Sequence, residues 1–265
     1  MPELPEVESV KEGLRPLLGC RLDKITVIDD WMRRRPPADL KRLEGKELAA
    51  LGRRAKYIIM QFDDDSRLVV HLGMTGRMAF RAASEKHDKV AFSFDNGATL
   101  YYNDSRRFGY IDWYDNIEWE RLGIEPFDEA FNGSYLFEAA RKKSEAVKLF
   151  LLDQSYVVGL GNIYACEALY RAGISPFRPA NSLSKDECDK LAAAVKLTLS
   201  RAVELGGSTL RDYRGVDGRS GDYQHEFAVY DRAGRPCPQH AGETVLIERQ
   251  KQGGRSTYYC PICQC

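Results

Sequence analysis

The sequence predicts an α+β protein in which one helix leads into an all-β sandwich or barrel, a helical segment follows, and a metal-closed β-hairpin ends the chain. Three observations predict this. Short apolar or alternating runs fill residues 21–114, broken by Asp-Asp-Asp-Ser and Asp-Asn-Gly turns. After Phe127 the apolar spacing becomes helical. Four of the seven cysteines fall in the last 29 residues, too clustered for a disulfide framework. A chain of 265 residues, 43% of them hydrophobic, can build two compact domains.

The first helix is read from Val7, Val10, Leu14 and Leu17, with Pro5 in its first turn and Gly19 as its stop. Pro2 and Glu3 then stand just ahead of its positive end. Removal of Met1 would expose the secondary amine of Pro2, a nucleophile that forms iminium ions with aldehyde carbons. An α-amino group titrates near pH ~8, and a helix N-terminus lowers that further. A neutral fraction is then available for covalent amine catalysis, with the Glu3 carboxyl beside it to move protons.

Strands are expected at Ile25–Ile28, Tyr57–Phe62, Leu68–His71, Val90–Phe94 and Thr99–Tyr102. Helices are expected over 134–152, 161–172 and 184–205, and the Gly- and charge-rich stretch 206–227 is expected to be a mobile surface loop. Residues 229–265 read as the hairpin. There is no internal repeat. No apolar run is long enough to span a bilayer, and the acidic N-terminus lacks a signal-peptide core, so a cytoplasmic protein is expected.

Formal net charge is zero, but the charge is segregated. From Met32 to Lys56 nine basic residues face three acidic ones, and the tail from Arg249 carries Arg249, Lys251 and Arg255 with no acid. Acidic residues gather at Asp63-Asp64-Asp65 and over 115–129. A neutral chain arranged this way can still present a phosphate-binding face.

Cys237-x-x-His240 followed by Cys260-x-x-Cys263 matches a closed tetrahedral zinc site on a two-stranded ribbon. Cys265 and Glu243 are spare ligands, and His240 is taken as the fourth. Asn162 stands where a helix begins, so it could cap that helix or help its N–H groups form a phosphate site. In Asp104-Ser105-Arg106-Arg107-Phe108-Gly109, Phe108 could wedge into a base stack and Arg106 bind the strand left behind. Met74, between turn glycines, is a second candidate wedge. Lys56 reads as a solvated cation at a strand start, His87 lies among cations in a loop, and His71 and His225 read as structural.

Taken together, Met1-Pro2-Glu3-Leu4-Pro5-Glu6-Val7-Glu8, Arg53-Arg54-Ala55-Lys56-Tyr57, His71-Leu72-Gly73-Met74-Thr75-Gly76, Arg106-Arg107-Phe108-Gly109, Gly159-Leu160-Gly161-Asn162-Ile163-Tyr164 and Gly254-Arg255-Ser256-Thr257-Tyr258-Tyr259-Cys260 resemble the bacterial formamidopyrimidine-DNA glycosylases, in order and from end to end. The resemblance implies a helix-flanked β-sandwich over 1–130, a helix–two-turn–helix domain over 131–228 and a zinc ribbon over 229–265. Double-stranded DNA carrying oxidised bases or abasic sites would lie between the domains, bound by a monomer. Pro2 would attack C1′ of an extruded nucleotide, Glu3 would shuttle protons, Lys56 would assist elimination and Arg255 would hold phosphate for the second elimination. Met74, Arg106 and Phe108 would fill the gap left by the base, His87 and Asn162 would touch phosphates, and Cys237, His240, Cys260 and Cys263 would hold zinc. Ser155 stands where the family usually has a lysine, which bears on lesion preference. The alternatives are an endonuclease VIII-like enzyme that prefers oxidised pyrimidines, or a non-catalytic binder of damaged DNA.

Overall fold

The computed structural model describes residues 2–209, 214–240 and 245–265. The chain divides into two compact units, Met1–Trp119 with Val203–Gln224 and Glu120–Ala202 with His225–Cys265. This differs from the three-part division read from sequence, because 203–224 returns to the first unit and the ribbon shares the second with the helices.

In the first unit, helix α1 (Leu4–Gly13) starts from Glu3 at its N-cap, with Pro5 in its first turn. Leu4, Val7 and Val10 are buried on one face. The helix stops earlier than Gly19. Pro16 cannot continue the i→i−4 ladder, and Arg15–Leu17 tightens into a 3-10 turn that still buries Leu17.

Eight strands follow: β1 (Leu22–Val27), β2 (Leu48–Arg54), β3 (Tyr57–Phe62), β4 (Arg67–His71), β5 (Arg77–Phe80), β6 (Asp88–Phe94), β7 (Thr99–Asn103) and β8 (Tyr110–Trp113). They form two four-stranded sheets, ordered β1-β6-β7-β5 and β2-β3-β4-β8, with antiparallel pairing throughout. Inward residues of both sheets join one core, with Ile25, Phe92, Leu100 and Tyr102 from one and Ile58, Met60, Val70 and Ile111 from the other. Alternation fixes which face each strand buries, as in β3, where Ile58, Met60 and Phe62 point inward.

The stretch 206–227 is more than a surface loop. Val216 joins the sandwich core, its carbonyl accepts from Phe80 N–H at 3.2 Å, and Ser208 and Tyr223 are buried. Residues 210–213 of that stretch lie outside the described residues.

In the second unit, the helix expected over 134–152 is two helices, α2 (Gly133–Ala140) and α3 (Val147–Leu152). Tertiary pairing breaks it. Val147 N–H donates to Arg178 O and Ala180 N–H to Glu145 O, each at 2.8 Å, which draws this segment out to meet 178–180. Helix α4 (Asn162–Ala172) ends at Gly173 in the left-handed conformation, and α5 spans Lys185–Glu204. Strands β9 (Glu248–Gln252) and β10 (Arg255–Tyr259) form the ribbon hairpin. Their two-residue turn is Gly253-Gly254, both at positive φ, as the tightest hairpins require. No helix among the described residues is long and apolar enough to cross a membrane.

Candidate active site and metal centre

Pro2 and Glu3 are both buried, Glu3 to 3% exposure. Glu3 closes a capping box: its side chain accepts from the Glu6 backbone, and its own N–H donates to Glu6 Oε2 at 2.8 Å. Glu6 is itself buried, and its other oxygen accepts from Ser208 N at 2.7 Å and Ser208 Oγ at 3.0 Å. Glu6 therefore ties the start of α1 to the returning segment. Sequence reading missed this role, although Glu6 three residues after Glu3 is the spacing of a capping box.

Lys56 occupies the two-residue turn between β2 and β3, beside Ala55 in a left-handed conformation (φ 53°). It is not the solvated cation expected, being only 9% exposed. Nearby, Arg33, Arg34, Tyr57, His71 and Tyr110 line a cavity of about 430 Å3. Burial first, and then the Lys56 and Arg33 cations, push the His71 imidazole down to about 4. The neutral ring stacks on Tyr110, and its Nδ1 accepts from Gly73 N–H at 3.1 Å. The basic stretch is partly neutralised within the fold, with Arg34 on Asp112 at 2.6 Å and Arg53 on Glu8 at 2.7 Å.

The two wedge candidates sit on neighbouring loops, Met74 between β4 and β5 and Phe108 between β7 and β8. Their side chains are 38% and 41% exposed. The exposed Arg106 places its guanidinium 5.1 Å from the Phe108 ring centroid. Arg107, left-handed at φ 63°, lays its guanidinium 3.7 Å from the Trp31 ring. The loops meet backbone to backbone: a Cβ on Gly73 would lie 2.4 Å from Gly109 N, and one on Gly109 2.5 Å from His71 O. His87 is exposed and left-handed, at φ 75°.

In the second unit, Gly161 is the N-cap of α4, so Asn162 does not cap it. Its Nδ2 instead donates to Ser256 O at 2.8 Å, while Oδ1 is buried with no hydrogen-bond partner among the described residues. The same carbonyl accepts from Lys148 Nζ at 3.2 Å, and that ammonium also reaches Thr257 Oγ1 at 2.7 Å. Lys148 is fully buried. Helices α3 and α4 thus grip β10 immediately after Arg255, which is exposed at the hairpin tip. Glu167 on α4 accepts from the N–H groups of Ala228, Val229 and Tyr230 at 2.8–3.0 Å, although burial pushes its carboxyl upward. Ser155 folds back on Asp153, its Oγ 2.8 Å from Asp153 Oδ1.

The ligand atoms of Cys237, His240, Cys260 and Cys263 all lie within 4.8 Å of one another. Cys237 Sγ is 3.6 Å from Cys263 Sγ, and His240 Nδ1 is 3.4 Å and 3.9 Å from the sulfurs of Cys263 and Cys260. A tetrahedron with metal–sulfur bonds of about 2.3 Å has edges of about 3.8 Å, so the four residues fit one metal ion. Burial pushes the Cys237 thiol up, but hydrogen bonds from Tyr170 and His240 among others bring it down to about 6. Cys265 is exposed and outside the group, and Glu243 lies outside the described residues. Among the described residues every cysteine is a free thiol.

A helix-led sandwich with an N-terminal proline and carboxylate, together with a helical unit bearing a Cys3His ribbon, defines the class. Two family models match: the formamidopyrimidine-DNA glycosylase N-terminal domain over residues 1–111 and the formamidopyrimidine-DNA glycosylase H2TH domain over 122–214. The formamidopyrimidine-DNA glycosylases of Caulobacter vibrioides and Neisseria meningitidis are each 44% identical to this chain, over 100% of both chains. The crystal structure of the MutM (Fpg) protein from Thermus thermophilus is 40% identical, with a TM-score of 0.88 over 99% of this chain and 98% of that one. Lactococcus lactis Fpg in complex with abasic-site DNA is 34% identical, with a TM-score of 0.89 over 99% of each chain. The chain belongs to the formamidopyrimidine-DNA glycosylase family.

Proposed function

We propose that this chain is a bifunctional DNA glycosylase and abasic-site lyase of base excision repair, acting on double-stranded DNA that carries oxidised purines such as 8-oxoguanine and formamidopyrimidines. The observation that carries the reading is Glu3 held by its capping box at the N-cap of α1 with Pro2 directly before it, in a chain of this family. With Met1 removed, the helix field favours a neutral Pro2 amine. That nitrogen attacks C1′ of an extruded nucleotide, and the bond from C1′ to the base breaks, the base leaving with the bonding pair and taking up a proton while the Pro2 nitrogen loses its own. Glu3 gives a proton to the sugar ring oxygen as the ring opens, leaving an iminium between Pro2 and C1′. Loss of a C2′ proton then expels the 3′ phosphate, with Lys56 assisting. A second elimination expels the 5′ phosphate, with Arg255 holding it.

Met74, Arg106 and Phe108 occupy the space the base leaves, and His87 and Asn162 contact phosphates. Cys237, His240, Cys260 and Cys263 hold one zinc ion, which supplies structure alone by fixing the ribbon that carries Arg255. The protein acts as a monomer in the bacterial cytoplasm.

The test is borohydride trapping on duplex DNA containing 8-oxoguanine or an abasic site. A covalent adduct is expected, and it should disappear on Pro2→Gly substitution. Absence of any adduct with the wild-type chain, or equal trapping by the variant, removes Pro2 as the nucleophile. Ser155, in place of the lysine usual in the family, favours one second reading, a preference for oxidised pyrimidines. Competition between thymine glycol and 8-oxoguanine decides it.

A further inference from the structure

Asp104 directly follows β7 and is fully buried, and its carboxylate is bonded by groups of both wedge loops. Its Oδ1 accepts from Thr75 Oγ1 at 2.6 Å, beside Met74, and from Arg106 N–H at 3.2 Å. Its Oδ2 accepts from Gly109 N–H at 2.8 Å, beside Phe108. Thr75 Oγ1 also receives Arg106 N–H at 3.1 Å, and Asp104's own N–H donates to His87 O at 3.1 Å. The carboxylate thus joins the two wedge loops, and the backbone N–H of the same residue ties them to the His87 loop of the same unit.

These loops resist being gathered. Arg107 sits in a left-handed conformation that costs a side-chain-bearing residue free energy, and Phe108 and Met74 leave apolar surface in water. The bonds to Asp104 on either side of Arg107 offset that cost. A buried carboxylate accepting short bonds is a far stiffer anchor than a neutral side chain would be.

We infer that Asp104 is a positioning residue that makes Met74, Arg106 and Phe108 enter the duplex as one rigid unit. The inference rests on the DNA glycosylase reading above. A wedge must be stiff to unstack base pairs, because any looseness is entropy lost on insertion. Stiffness is irrelevant where there is no stack to invade.

The contrast supplies the experiment. Asp104→Asn keeps the shape but turns one acceptor into a donor that faces an N–H or O–H donor. Single-turnover excision is measured on a duplex with 8-oxoguanine opposite cytosine. Borohydride trapping is measured in parallel on a single-stranded oligonucleotide with an abasic site. The variant is expected to excise at least about 10-fold more slowly from the duplex, the loss of a charge-assisted bond, and to trap the single strand within about 3-fold of wild type. Equal slowing on both substrates would overturn the inference, since Asp104 would then serve folding in general. So would wild-type rates on both. Should Asp104→Asn not fold, Thr75→Val removes one donor to the same carboxylate and must show the same substrate contrast. Failure of the wild-type chain to trap the abasic strand would instead sink the glycosylase reading.

Discussion

Acidification should destabilise the first unit through His71 in a window set by that residue alone. In the folded chain the His71 imidazole titrates near about 4 instead of its ordinary 6.5, because it is buried and faces the Lys56 and Arg33 cations. A folded-state pKa below the unfolded one contributes stability that is complete above pH 6.5 and lost as pH falls through about 4. The whole contribution is on the order of 3 kcal/mol at 1.36 kcal/mol per unit, of which about 2 kcal/mol is gone by pH 5. Protonation also removes the acceptor for Gly73 N–H, so the turn that carries Met74 loosens with it.

The comparison is with His71→Asn, whose Oδ1 can take over the Gly73 bond but carries no proton. All three tryptophans, Trp31, Trp113 and Trp119, lie in the first unit, so intrinsic fluorescence during urea unfolding reports on that unit. Between pH 7 and pH 5 wild type is expected to lose about 2 kcal/mol more than the variant. Curves that fall in parallel would refute the argument, because the acid loss would then come from other groups.

Three further outcomes follow from single contacts. Gly109→Ala should cost about 1–3 kcal/mol or more in the same assay, since its Cβ would lie 2.5 Å from the His71 carbonyl oxygen, a backbone atom that cannot step aside; an unchanged midpoint would mean the two loops do not pack this closely. Purified protein should contain one zinc per chain by atomic absorption. Cys260→Ser should lose it, while Cys265→Ser keeps it because Cys265 stands outside the four-ligand group; zinc loss from the Cys265 variant would reassign the site. Lys148→Met and Asn162→Ala should be non-additive in thermal unfolding, by about 0.5–3 kcal/mol, because both side chains hold the Ser256 carbonyl. Strict additivity would show that the two bonds are independent.

Wherever local pattern is sufficient, the sequence alone is legible. Strands β3, β4, β6 and β7 alternate or run apolar between strong turns, and each lies where its residues predict. Strand β2 is not legible: Leu-Ala-Ala-Leu-Gly-Arg-Arg has no β-branched residue, and its backbone pairing with β3 makes it a strand. Helix α1 is visible, but its end is hidden because Leu14 and Leu17 keep the helical spacing past Pro16.

The same division runs through the site. The chemical identity of the groups is written in the chain: Pro2 and Glu3 before a helix, two Cys/His knuckles, and an Arg-Arg-Phe loop between turn residues. Their environments are not. Burial of Lys56 and the low pKa of His71 depend on which strands lie beside them, and the anchoring by Asp104 needs Thr75, 29 residues away, at its carboxylate. Asn162 has the sequence position of a cap, and only its contact with Ser256, 94 residues on, shows that it holds the ribbon hairpin. Residue type and spacing are one-dimensional and determine what each group can do. Desolvation and hydrogen-bond partnership arise from segments distant in the chain, so tertiary structure alone decides which of those capacities each group exercises.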